Sequence, residues 1–233
     1  MKDSENIEAQ KNYLRILNHD IRSPLASIIG FSKLLQEDDI SLEKVKKFAT
    51  AINNVGESML KMANNYLLLE KIENGSTDIE KDQYTIFQLI HLIKKIGLDL
   101  KLSDRIVFPF YHSSNSYFIN LIRKKVLINE SLFESVIINL FKNADEASSA
   151  NEDKILININ EKDNKFYINI SNQGEIPEEI KKNLFQKFNT SKSFGKGLGL
   201  YSAKLIVEAH GGKLTCKSLS NATSFMVEIP FDE

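Results

Sequence analysis

Leu17-Asn18-His19-Asp20-Ile21-Arg22-Ser23-Pro24-Leu25 is the stretch on which the reading of this chain turns. Around it Leu14, Ile21, Ile28 and Leu35 recur every seven residues, and Leu17, Pro24 and Phe31 fill the second apolar position of the same heptad. That is the a/d pattern of a helix buried along a narrow seam. Counted from Leu14 as a, His19 falls at f, the position furthest from the seam, so the imidazole is expected to face water beside the Asp20 carboxylate. Pro24 lacks an N–H and crowds the carbonyl of Asp20, four residues back, at a cost of about 3 kcal/mol in a helix interior. A proline one turn after an exposed His-Asp pair suggests a bent or mobile segment kept for a purpose.

A second periodic segment lies downstream. Val45, Ile52, Met59 and Tyr66 form one row at seven-residue spacing; Phe48, Val55, Met62 and Leu69 form the other. The first helix is expected over 5–36. Asp38-Asp39-Ile40-Ser41 reads as a turn with Ser41 as N-cap, and Gly75 suits a left-handed cap after Glu73. Two helices joined by a short turn make an antiparallel hairpin, and one hairpin leaves a long apolar stripe that a second copy can cover as a four-helix bundle. The expectation is a homodimer through residues 5–73.

Beyond Gly75 the heptads stop and mixed α and β patterns begin. Thr85–Ile96, Ser131–Ser149, Ile180–Phe188 and Leu200–His210 read as helices. Arg105–Tyr111, Lys125–Ile128, Lys154–Asn160, Lys165–Ser171, Lys213–Leu219 and Ser224–Pro230 read as strands, with a hairpin around Lys162-Asp163-Asn164. The expected class is α+β: a helical hairpin over 1–75, then an α/β sandwich over 76–233 with helices on one face of a mixed sheet.

Composition narrows the function. Thirty Lys+Arg against 31 Asp+Glu, with no basic run, argue against a nucleic-acid face. The lone Cys216 excludes an intramolecular disulfide and a cysteine-built zinc site, and fits a reducing compartment. No apolar run approaches the roughly 20 residues of a membrane helix, and the polar start does not read as a signal peptide. A cytoplasmic chain is expected, whole or as the cytosolic part of a longer or membrane-associated sensor.

Two further segments carry chemistry. Asn139 and Asn143 project from one face of a helix whose other face is apolar (Leu132, Val136, Ile137, Leu140). Asparagine usually sits at caps, so a mid-helix pair reads either as a solvated face or as oxygen ligands suited to Mg²⁺, which takes its remaining ligands from water and phosphates. Gly195-Lys196-Gly197-Leu198-Gly199 opens the helix at Leu200, and amides of such a loop at a helix N-terminus form an anion site. Lys192 just upstream could add a point charge.

These segments, in order, resemble the boxes of bacterial two-component sensor histidine kinases. His19-Asp20-Ile21-Arg22-Ser23-Pro24-Leu25 is similar to the phosphoacceptor box: His, an acidic residue, two residues, Ser/Thr/Asn, then Pro-Leu. The segment 139–144 resembles the N box, with Asn143 matching the Mg²⁺ ligand and Asn139 beside it. Residues 170–177 resemble the first glycine box, 184–188 the F box and 195–200 the second glycine box, with His210-Gly211-Gly212 a common last signature. The second domain is thereby identified as a member of the histidine-kinase/Hsp90-like ATP-binding fold. The resemblance implies ATP and Mg²⁺ as cofactors, with Asn139, Asn143, Asn172, Gly174, Lys192, Gly195, Gly197, Leu198 and Gly199 at the nucleotide. It implies His19 as phosphoacceptor and Asp20 as its base, with Arg22 and Ser23 facing the receiver domain of a response regulator.

Four departures from the family pattern stand out. The first glycine box, Asp-x-Gly-x-Gly-Ile-Pro, reads here Ser171-Asn172-Gln173-Gly174-Glu175-Ile176-Pro177. Asn172 stands for the adenine-binding Asp and the second glycine is missing; an alternative alignment sets Ser171 at that place. Glu146 stands where many members carry a phosphate-contacting Lys, leaving Lys192 or Lys142 to supply charge. Asn139 replaces the water-activating Glu of the Hsp90-like ATPases, which argues against simple hydrolysis. Ser23 replaces the Thr or Asn that supports phosphatase activity. The expected function is autophosphorylation of His19 from ATP and transfer to a regulator aspartate; the alternative is a dimeric pseudokinase scaffold.

Overall fold

The computed structural model describes residues 21–37, 39–75, 79–109, 116–147, 153–187, 198–219 and 221–232. His19, Asp20, Lys192, Gly195 and Gly197 lie outside the described residues. The chain divides into two compact units, one ending at Leu67 and the other starting at Leu68.

In the first unit α1 (described over 21–34) runs straight through Pro24, so among the described residues the helix is continuous rather than broken after it. It ends in a turn closed by Gln36 N–H donating to Lys33 O at 3.0 Å. α2 (Leu42–Glu73) starts at Ser41, whose Oγ accepts from Lys44 N–H at 3.4 Å while its carbonyl takes the Val45 N–H at 3.0 Å. The rings of Phe31 and Phe48 stack with centroids 5.7 Å apart across the short connection, which folds the helices back on each other. Ile21, Pro24, Ile28, Phe31 and Leu35, with Val45, Phe48, Ile52, Val55, Met59, Met62 and Tyr66, are half-buried, as the heptads require. α2 closes on Gly75 in the left-handed region, at φ +86°.

The second unit contains the last turns of α2, β1 (Asp82–Thr85), α3 (Ile86–Asp99), β2 (Ile106–Val107), α4 (Ser116–Arg123), β3 (Lys125–Ile128), α5 (Glu130–Ala147), β4 (Ile155–Lys162), β5 (Lys165–Gln173), α6 (Glu178–Lys181), α7 (Gly199–Ala209), β6 (Lys213–Leu219) and β7 (Ala222–Pro230). Leu69 is buried in its core and Leu68 and Ile72 pack against it. By packing, therefore, the end of α2 belongs with this unit. The main sheet has the order β2-β4-β5-β7-β6, parallel between β2 and β4 and antiparallel elsewhere, while β1 and β3 form a separate antiparallel pair. Burial alternates along the strands: Ile155, Ile157 and Ile159 on β4, Phe166, Ile168 and Ile170 on β5, and Phe225, Val227 and Ile229 on β7 face inward. Leu89, Ile90 and Ile93 of α3, Phe133, Val136, Ile137 and Leu140 of α5, and Ile206 and Val207 of α7 complete this core.

Local chemistry explains most boundaries. Thr85 caps α3 in a box with Gln88, and Asp163 and Asn164, both at positive φ (51° and 56°), make the two-residue turn of the β4–β5 hairpin. Other expectations need correcting. The strand expected over Arg105–Tyr111 is only Ile106–Val107 within the described residues. The helix expected over Ile180–Phe188 is α6 followed by turns, with Asn183 N–H bonding to Ile180 O (3.1 Å) and Gln186 N–H to Asn183 O (2.9 Å). Three-residue closures let Leu184 reach the core, which the apolar spacing alone does not distinguish from a helix. The polar strand β1 and the short helix α4 were not foreseen; β1 exists because it pairs with β3. Its Tyr84 hydroxyl donates to Glu130 at the start of α5, and that bond, with burial, pushes the phenol up to about 12.

One buried polar contact ties α7 to α5. His210, 4% exposed, accepts the Asn129 N–H through Nε2 at 2.9 Å, and its Nδ1 lies 2.6 Å from Ile206 O. A carbonyl only accepts, so Nδ1 carries the proton and the ring is neutral. Asn129 in turn caps α5, accepting from Leu132 N–H through Oδ1 at 3.1 Å. Burial holds the His210 pKa below its usual value, against the opposing bond to Ile206 O. The unfolded chain then takes up the proton first, so this stability is present above about pH 6.5 and is lost as pH falls from there toward the folded pKa. Urea midpoints measured between about pH 7.5 and 5.5 should fall. In His210→Gln the unfolding free energy should be lower at the upper pH, by roughly 1–3 kcal/mol for an unmet Asn129 amide, and the urea midpoint flatter across the range.

Candidate functional site

The site is built on a single row of α5. Residues 139, 143 and 147 stand four apart and share one face of the helix. At one end Asn139 lies against Gly199, the first residue of α7: a β-carbon there would come within 3.1 Å of Asn139 Oδ1. At the other end Ala147 lies against Gly174, where a β-carbon would come within 2.9 Å of Ala147 O. Asn143 is the middle member, half-buried like Asn139. The asparagine pair is thus held between the opening of α7 and the turn that follows β5. Glycines read from sequence as phosphate or turn residues also supply the close approach that brings these elements together.

Gly174 is needed twice over, since its φ is +104° as well. Its N–H donates to Asn221 O at 2.8 Å and its carbonyl accepts from Thr223 Oγ1 at 2.8 Å. Asn172 sits just before it on β5, 5% exposed, on the same covered face as Phe166, Ile168 and Ile170. Its Nδ2 donates to Gln173 O at 2.5 Å, which turns the accepting Oδ1 the other way. Ser171 points to the opposite face of the sheet, where its hydroxyl bonds Ser224 Oγ at 3.3 Å. Of the two alignments left open above, only Asn172 shares the face of α5.

At the opening of α7, Leu198 caps the helix through its backbone, with Ser202 N–H donating to Leu198 O at 2.8 Å. Lys142 and Glu146 are exposed on α5. A contact not foreseen lies nearby: Lys187 Nζ is 2.8 Å from Glu73 Oε2, at the end of α2, and 4.9 Å from the ring centroid of Tyr201 on α7. Burial, and then the Glu73 carboxylate, push the Tyr201 phenol up. Lys187 is therefore a structural cation, and no local pattern joins three residues so far apart in the chain. Arg22 and Ser23 are exposed on α1, where Ser27 Oγ donates to Ser23 O at 3.3 Å.

The donor set constrains the chemistry. Among the described residues no three His, Cys, Asp or Glu side chains gather as a metal cage. Neutral amide oxygens on α5 suit a hard cation only if phosphates bring the negative charge, which is how Mg²⁺ is commonly held. Burial pushes the Cys216 thiol up to about 11, so it supplies no thiolate near neutral pH. Among the described residues, no helix is long and apolar enough to cross a membrane.

Comparison with known proteins bears on both units. Residues 9–75 match the His Kinase A (phospho-acceptor) domain, and residues 128–233 match the histidine kinase-, DNA gyrase B- and HSP90-like ATPase family. The chain is 32% identical to the sensor protein KdpD of Clostridium acetobutylicum over 97% of its own length, and spans 25% of the length of that relative. It is similar to the solved catalytic domain of histidine kinase ThkA (29% identity, TM-score 0.52), covering 65% of this chain and 96% of that one. The fold also matches ThkA in complex with the response regulator protein TrrA (24% identity, TM-score 0.54, covering 98% of this chain and 64% of that one).

Gly174→Ala should cost stability twice, by roughly 1–3 kcal/mol for the backbone alone and further for the contact with Ala147. Gly211 has φ +74° but only Pro230 Cγ, at 3.6 Å, near a new β-carbon, so Gly211→Ala is the control for the backbone term. Chemical denaturation should show the larger shift at Gly174; equal shifts would count against the close approach to α5.

Proposed function

The chain belongs to the two-component sensor histidine kinases, and from that premise we propose that it is a kinase core phosphorylating its own His19 from ATP. The observation that carries this reading is the joining, in one chain, of a phospho-acceptor domain match containing His19 to an ATPase-type fold whose asparagine row is flanked by Gly174 and Gly199. The organisation we propose is a dimerisation and phosphoacceptor domain over 1–75 and an ATP-binding domain over 76–233. Two copies would pair through residues 5–73. The half-burial of the heptad residues in a single chain, with Leu25, Ile29, Leu60 and Leu67 still exposed, supports that pairing.

In the proposed reaction a lone-pair nitrogen of the neutral His19 ring attacks the γ-phosphorus in line. The N–P bond forms as the bond to the bridging oxygen breaks, and ADP leaves. Asp20 would accept the other ring N–H, fix the tautomer and balance the charge that develops on the imidazole. Asn172 Oδ1 would receive the adenine amino group, and Gly195, Gly197, Leu198 and Gly199, with Lys192, would hold the phosphates at the opening of α7. Mg²⁺ would be held by Asn143, with Asn139 beside it, and would neutralise phosphate charge. The phosphoryl group would then pass to an aspartate of a response-regulator receiver domain that meets Arg22 and Ser23. Use of ATP assigns these residues to the cytoplasmic side. No observation on the described residues favours the pseudokinase scaffold.

Incubation with γ-labelled ATP and Mg²⁺ should give acid-labile label on the parent and none on His19→Gln, with dimerisation intact; label persisting at His91, His112 or His210 would overturn the assignment. Asp20→Asn should keep the fold and lose about 10²–10⁴ in rate.

The adenine contact gives a separate outcome. A neutral Asn172 acceptor lacks the charge assistance of a carboxylate, a difference of roughly 1 kcal/mol or about five- to tenfold in affinity. Calorimetry with a non-hydrolysable ATP analogue should find tighter binding in Asn172→Asp and little binding in Asn172→Leu. Parent-like binding by Asn172→Leu would remove Asn172 from the site.

A further inference from the structure

Behind the shortened turn after β5 lies a closed chain of hydroxyls. Ile176 N–H donates to Ser218 Oγ at 2.9 Å, Ser218 Oγ lies 3.0 Å from Thr223 Oγ1, and Thr223 Oγ1 donates to Gly174 O at 2.8 Å. The direction of the middle bond is forced. Thr223 has one hydroxyl hydrogen and spends it on a carbonyl, which only accepts, so Ser218 must donate to Thr223. Every hydrogen is used once, and the run begins and ends on the backbone either side of Glu175. Ser218 and Thr223 are 8% and 3% exposed and are direct partners across β6 and β7, while Thr223 is also the cross-strand partner of Asn172.

Resting on the reading of residues 76–233 as an ATP-binding domain, we propose that Ser218 is a positioning residue of the nucleotide site. Acting with Thr223, it fixes the Gly174–Ile176 turn so that Gly174 stays against Ala147 and Asn172 keeps its place on the covered face. The turn has one glycine at Gly174 and a side chain at Glu175, and the hydroxyl chain satisfies the two backbone groups that this geometry turns inward. A partly buried amide and a partly buried carbonyl gain from such partners, and a run of hydrogen bonds in one direction acts as a unit. Ser218 touches no nucleotide in this account; its effect passes through the turn.

The test uses the full chain, the non-hydrolysable ATP analogue and the labelling assay. Ser218→Ala should bind the analogue about five- to tenfold more weakly, with KM for ATP rising in step and kcat close to the parent. Ser218→Thr, which keeps the hydroxyl, should recover most of the affinity. Thr223→Val should match Ser218→Ala, and the double variant should be little worse than either, the mark of a single unit. A Ser218→Ala protein that melts at lower temperature yet binds the analogue like the parent would overturn the proposal, because its role would be structural only. Should that variant not fold, amide exchange in the parent decides: Ile176 N–H is expected to be protected, and exchange at the rate of an open loop would overturn it. A parent that binds no analogue would bring down the ATP-binding reading and this inference together, whereas parental binding unchanged by Ser218→Ala removes only the inference.

Discussion

The packing of α5 against two glycines is the constraint on which the second unit depends. Gly199 meets Asn139 and Gly174 meets Ala147, one turn of the same helical row to either side of Asn143. A side chain at Gly174 would push the end of β5 away from α5, and one at Gly199 would shift the Asn139 amide by a few tenths of an ångström. The core behind supplies the rigidity. Phe133, Val136, Ile137, Leu140 and Phe141 anchor α5 on a sheet whose central strand is β5. A face built from a rigid helix and a rigid strand can hold polar groups in fixed geometry, which is what phosphoryl transfer needs when positioning does most of the work.

Several buried polar groups in this unit are arranged in pairs and chains. His210 closes the junction between α7 and α5 as a neutral ring with both nitrogens used. Ser218 and Thr223 do the same for the turn after β5. Lys187 joins Glu73 and the face of Tyr201, so the last turn of α2 is tied to the start of α7 through that cation, while Leu69 is buried in the core and Ile72 packs against it. The contacts of His210, Ser218 and Thr223 carry a penalty if one partner is lost, because the other stays buried without one. That asymmetry makes these residues informative to mutate even where their net contribution to folding is small.

The first unit obeys a different rule. Its heptad residues reach only partial burial, and Leu25, Ile29 and Leu60 remain exposed. Two helices alone cannot enclose an a/d seam, whereas four can. Pro24 sits within a continuous stretch of α1, which lessens the case for a break there. Pro24 lacks the N–H that a helix residue there would offer to the carbonyl four residues back.

Periodicity and local chemistry were enough to read much of this protein from its residues. Seven-residue spacing marked α1 and α2, strand patterns marked β4, β5 and β7, and the caps at Ser41 and Gly75 are properties of short segments that act wherever the segment is placed. The asparagine pair was legible for the same reason, since 3.6 residues per turn fixes which side chains share a face. What waited for the tertiary structure involves partners far apart in the chain. β1 is a strand only because β3 lies beside it, and residues 182–187 turn rather than continue as helix because Leu184 is drawn into the core. Which of Asn172 and Ser171 shares the covered face of β5 is decided by how that strand packs. The links from Lys187 to Glu73 and from Ser218 through Thr223 to Gly174 have no local signature at all. Sequence spacing determines what a segment can do on its own; which buried donor meets which acceptor is decided only when distant segments pack, because the cost of an unmet polar group is felt only where water has been excluded.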